Sequence, residues 1–188
     1  MTNNIEKTDK VDSVHLILAV RRSKENEGQT HKDELCFREI VRGSTEETVA
    51  KIKARISAMP GVWRIYHTVN ARDTRKATKL LMHELLDHFE EQHYRIDSLY
   101  KKCLLQTTCR ATKYFMLDID TENETILNTV YQNIIAPNPW NINLGKHHKT
   151  PSGYHIMVHP FNLNDIKLPE HVTLIKDGYY FLERVEIK

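Results

Sequence analysis

Cysteine is scarce. Cys36, Cys103 and Cys109 are an odd number with no CxxC spacing. That excludes a disulfide framework and points to reduced, mostly packed thiols. Long apolar runs are missing too. None approaches the ~20 residues of a bilayer-spanning helix. Charge of one sign is not in excess, since 27 Lys+Arg stand against 25 Asp+Glu and leave a net charge of +2. A polybasic protein is thereby excluded. Any nucleic-acid surface must be a local patch, or must work through metal ions. The opening MTNNIEKTDK is polar and charged, unlike a signal peptide. No internal repeat or low-complexity segment interrupts the chain. These absences lead us to expect a cytoplasmic protein with no membrane partner.

What is there suffices for a core. The 188 residues are expected to form one domain over 13–188 behind a disordered tail, 1–12. Residues 14–20, 35–42 and 62–69 read as strands. The polar loop between the first two carries Arg21, Arg22, Lys24, His31 and Lys32, which could meet phosphates or simply face solvent. Ser44 and Glu47 have capping-box spacing, and Val49, Ile52 and Ile56 follow at helical spacing. Asp73 is a candidate N-cap for a long helix with Ala77, Leu81, Leu85 and Phe89 as its buried ladder. Arg72, Arg75, Lys76 and Lys79 crowd that helix start. Cations there oppose the helix dipole, which suggests an anion-binding use. A shorter helix is expected over roughly 93–105.

Residues 114–120, YFMLDID, are the central stretch. An apolar run bounded by polar residues reads as a buried strand. Side chains alternate across a strand, so Asp118 and Asp120 are expected on one face. Two carboxylates held that close repel, and a divalent cation removes the repulsion by sharing both. Thr121 and Glu124 then repeat the capping-box spacing ahead of a further helix. Ser152-Gly153-Tyr154-His155 reads as a turn leading into a strand. Asp177-Gly178 reads as the tip of a final hairpin.

The order of these signals resembles the archaeo-eukaryotic primase superfamily, which includes primase-polymerases. That family has an hDhD strand, a small-x-H strand and an hD strand in that order. YFMLDID matches the first motif, SGYHIMV the second and LIKD the third, and the resemblance covers about residues 62–187. The stretch GYHI-x(3)-PF is also similar to one in small phage-type proteins. The resemblance implies an α/β (α+β) fold. An RRM-like catalytic sheet over 111–188 would stand beside an N-terminal α/β part over 13–110. It implies metal-dependent nucleotidyl transfer from nucleoside triphosphates, with DNA or RNA as partner. Asp118, Asp120 and Asp177 would bind Mg²⁺ or Mn²⁺, with Glu183 as the substitute for Asp177. Ser152, Gly153 and His155 would contact the phosphates, with Lys149 and Lys176 as further partners. Arg72, Arg75 and Lys79 would meet the template. Tyr154, Tyr179, Tyr180 or Trp140 could stack on bases. Two other readings stay open, a non-catalytic binding module of the same fold and a haloacid-dehalogenase-type phosphatase on the LDIDT stretch.

Overall fold

The computed structural model describes residues 12–28, 30–137, 147–162 and 166–188. The expected tail and Trp140 lie outside them, apart from Asp12. The fold is mixed α+β, with four α-helices and antiparallel sheets among the described residues.

The first sheet contains β2 (Leu16–Arg21), β3 (Leu35–Ile40), β4 (Gly61–Thr68) and β10 (Tyr179–Ile187). Its order is β10-β4-β2-β3, antiparallel throughout. Alternation divides β2 cleanly. Ile17 and Ala19 pack with Trp63 and Ile65 against Ile52 and Ile56 of α1 (Thr45–Ile56). Leu16 and Leu18 face the other way, onto α2 (Thr74–Gln92) and α3 (Ile96–Leu104), where Ala77, Cys103 and Leu104 close the core. Two helix starts follow the expected chemistry. The Ser44 hydroxyl accepts from the Glu47 N–H at 3.1 Å, and the Asp73 carboxylate accepts from the Lys76 N–H at 3.0 Å. The short strands β1 (Ser13–Val14) and β5 (Arg72–Asp73) pair beside the start of α2.

The second sheet contains β6 (Phe115–Ile119), β7 (His147–Thr150), β8 (Gly153–Val158) and β9 (Val172–Ile175), in the order β7-β8-β6-β9. One face carries Leu117, Ile119, Ile156, Val158 and Val172. It is covered by Leu127 and Val130 of α4 (Glu124–Val130), and by Ile134 and Ile135 of the wider turn that continues it.

Several expectations are corrected. Asn123, not Thr121, caps α4, its side chain accepting from the Thr125 N–H at 2.9 Å. The Asp120 N–H is bonded to the His171 carbonyl at 2.9 Å, so the helix starts later. The ladder on α2 is buried only at its start. Phe89 is 57% exposed, and the helix breaks at His88 (φ −139°, ψ 37°), which turns the last residues of the helix off the earlier axis. The final hairpin does not form. β9 stays in the second sheet while β10 crosses to the first, so a strand of the 111–188 part completes the sheet of the 13–110 part. Asp177-Gly178 is the crossing point. There the Asp177 carboxylate is taken by Arg72, which is 1% exposed. A buried guanidinium needs a carboxylate more than a chain reversal needs Asp-Gly.

Candidate functional site

Beyond α2 and α3, the inner face of the first sheet continues through Val20, Arg64, Tyr66 and Phe181. The uncovered face of the second sheet lies opposite. Between them is a cleft of about 600 Å³.

The second sheet supplies acids and a histidine. Asp118 and His155 are direct register partners on β6 and β8, so their side chains share a face. His155 Nε2 lies 3.3 Å from Asp118 Oδ1. The Phe181 N–H, from the free edge of β10, donates to His155 Nδ1 at 3.0 Å. A backbone N–H can only donate. Nδ1 is therefore the acceptor, the ring proton sits on Nε2, and Nε2 is the ring nitrogen beside Asp118. Asp120 follows just past the end of β6 and lines the same cleft. The Ser152 hydroxyl donates to Asp120 Oδ1 at 3.4 Å. Gly153 explains how these two segments come so close. A Cβ there would run into the Ile119 carbonyl oxygen and crowd the Thr121 backbone. Glycine here thus permits a close crossing of two chain segments.

The first sheet and the turn after β2 supply cations. Arg22, Lys24 and Arg64 line the cleft. Arg64 is held by Glu25, whose Oε1 accepts from its Nε at 2.9 Å and from a terminal nitrogen at 2.7 Å. No ion pair with another described residue takes up the charge of Arg22 or Lys24. The floor is apolar and aromatic, with Leu18, Tyr66, Met116 and Phe181, the Tyr66 and Phe181 rings meeting edge to face at 6.0 Å.

Of the residues expected from sequence, the fold brings Arg22, Lys24, Asp118, Asp120, Ser152, His155 and Asp177 to this cleft. Asp177 arrives already engaged. Both its oxygens accept from Arg72, at 2.7 and 3.0 Å, and Asn70 adds a bond at 3.3 Å. Arg72 is correspondingly no surface residue for a template. Glu183 cannot replace Asp177, because it lies on the α1 side of the first sheet and pairs with Lys53 at 2.6 Å. Lys149 faces away from His155 and lies 3.7 Å from Glu122. Lys176 is exposed outside the cleft lining, and its carbonyl accepts from Arg110 at 3.1 Å. Arg75 and Lys79 are exposed on α2, also outside the lining. Among the tyrosines, Tyr179 lines the cleft. Tyr154 packs on the α4 side, and Tyr180 stacks between His67 and His148.

Comparison with protein-family models, with curated proteins and with solved structures found no match. Among the described residues, no three His, Cys, Asp or Glu side chains are arranged to hold a metal ion.

Sequence reasoning missed Arg64, Tyr66 and Phe181. Alternation in VWRIYHTV carried a signal for the first two. With Trp63 and Ile65 on the α1 face, Arg64 and Tyr66 had to share the other.

Proposed function

We propose that the cleft binds a nucleoside triphosphate together with Mg²⁺ or Mn²⁺ and transfers its nucleotidyl group to nucleic acid. One observation carries this reading. Asp118 and Asp120 stand in one cleft with Arg22, Lys24 and Arg64, so its lining carries charges of both signs. A lone anion would be repelled by the carboxylates, and a lone cation by the arginines. A metal-bound triphosphate suits both. The strand order β9-β6-β8-β7, with a helix after the first of them in sequence, supports the resemblance to the RRM-like sheet of primase-polymerases.

The two carboxylates are hard oxygen donors and fit Mg²⁺ or Mn²⁺. When bound, the ion supplies charge neutralisation on the phosphates. The side chains do the rest. Arg22 and Lys24 attract the outer phosphates. His155, with Nε2 3.3 Å from Asp118, and Ser152, bonded to Asp120, keep the two carboxylates in place. Tyr66 and Phe181 offer apolar surface to the base. An acceptor hydroxyl oxygen then attacks the α-phosphorus and gives up its proton to water, and pyrophosphate leaves with the electrons of the broken P–O bond.

A primer–template with labelled nucleotides and Mn²⁺ tests this. The wild type should extend the primer, and Asp118→Asn should lose about 100-fold or more in rate. A second reading, a binding module without turnover, is favoured by Arg72 occupying Asp177, which leaves the cleft two acids, Asp118 and Asp120, without an arginine or lysine partner among the described residues. Metal-dependent nucleotide binding with no extension would select it and retire the transferase.

A further inference from the structure

We propose that the outward face of α2 is the two-fold interface of a homodimer. The exposed large hydrophobic residues among those described are Leu35, Met82, Leu86, Phe89, Tyr94 and Ile96. All but Leu35 fall between 82 and 96. Such a concentration marks an interaction surface, whereas scattered single residues would not.

The helix carries two apolar faces. Ala77, Leu80 and Leu81 pack inward against the first sheet and α3. Met82 and Leu86 point away from them, at 61% and 82% exposure. They belong to a strip made of Arg75, Lys79, Met82, Leu86, Phe89 and His93, spaced alternately four and three residues apart. That is the 3.5-residue period of a helix–helix seam. The strip runs straight through Leu86 and bends at His88, beyond which Phe89 and His93 stack on each other at 5.2 Å.

Charge identifies the occupant. Arg75, Lys76 and Lys79 lie at the N-terminal end of the helix, and Asp87 and Glu90 lie towards the other. A second copy laid antiparallel sets each cationic end over the acidic end of its mate and opposes the two helix dipoles. Met82 then meets Leu86 of the second copy, and Lys79 comes over its bend at His88, between Asp87 and Glu90. A parallel mate would put cations on cations. A nucleic acid or an anionic membrane surface would be repelled by Asp87 and Glu90. The sequence pattern is complementary to itself and to neither of these.

Sedimentation velocity over a dilution series tests the interface on the full chain. The wild type should show a monomer–dimer equilibrium. Leu86→Glu should give monomers that melt where the wild type melts once diluted to monomer, because Leu86 is 82% exposed within its own copy. Lys79→Glu and Glu90→Lys should each weaken the dimer by about tenfold at low salt, and the double exchange should restore it. A wild type that stays monomeric at every soluble concentration overturns the proposal. So does a dimer that survives Leu86→Glu, or a double exchange that leaves the dimer as weak as the single ones.

Discussion

Arg72 aims two guanidinium nitrogens at Asp177, and its Nε is buried without a partner. Removing the carboxylate leaves this cation buried and unpaired. Asp177→Asn should therefore cost about 3 kcal/mol or more of stability, read by urea unfolding. Replacing both by apolar residues, Arg72→Met with Asp177→Leu, should recover most of that loss, since no charge is left stranded. An Asp177→Asn protein of wild-type stability would free Asp177 to serve as a third metal acid. His155 makes a separate residue-scale prediction. With Nδ1 accepting from Phe181, ¹⁵N spectra at neutral pH should show an unprotonated Nδ1 and a protonated Nε2. The opposite tautomer would dismantle the arrangement that holds Asp118.

Four rings join strands of both sheets. His15, just before β2, lies 4.4 Å from His67 of β4. His67 lies 4.9 Å from Tyr180 of β10, and Tyr180 lies 4.9 Å from His148 of β7. Burial depresses the basicity of all three histidines. For His67, burial first and the neighbouring His15 second bring the pKa down from 6.5 to about 4. A histidine depressed in the folded state contributes stability that is complete above its unfolded pKa. It is lost as pH falls, because the unfolded chain takes up the proton first. Stability should therefore drop between pH 6.5 and about 4, by on the order of 3 kcal/mol from His67. Calorimetry across that window checks it. His67→Phe keeps a ring in the stack and should flatten the slope. An unchanged slope would move the acid sensitivity elsewhere in the fold.

The two sheets meet through contacts that cross between them, the Phe181 N–H with His155 and the ring stack, while Arg72 on β5 holds Asp177 in the connection from one sheet to the other. The cleft lies between the same two sheets. A ligand held by both walls binds the native state and not the unfolded chain, so it should stabilise the whole molecule. Mn²⁺ with a nucleoside triphosphate at 100 times its dissociation constant should add about 2.7 kcal/mol. The chain should still melt in one transition. Asp118→Asn should abolish the gain yet keep or raise the ligand-free stability, because it relieves repulsion between neighbouring carboxylates. If Asp118→Asn instead unfolds the protein, Asp118 is a structural residue and the cleft loses its metal ligand. No helix among the described residues is long and apolar enough to cross a membrane.

Sequence alone determined what depends on near neighbours in the chain. Periodicity located β2, β4, β6, α1 and α2, because burial of one face requires its spacing whatever packs against it. The caps at Ser44 and Asp73 were legible, since a cap bonds within its own first turn. Strand alternation was enough to expect Asp118 and Asp120 on one side of the sheet, and both line the cleft although Asp120 lies just past β6. Only the tertiary structure decided which distant groups meet. Asp177 reads locally as a turn residue or a metal acid, and only the fold buries Arg72, far back in the chain, beside it. Lys149 and Lys176 had the right charge, but the pleat and the crossing between sheets turned them away. Arg22, Lys24 and Arg64 reach the cleft from β4 and the turn after β2, where the second sheet faces them. Charge and hydrogen-bonding partners are set by closure in space, and a local pattern carries no record of which distant segment will close on it.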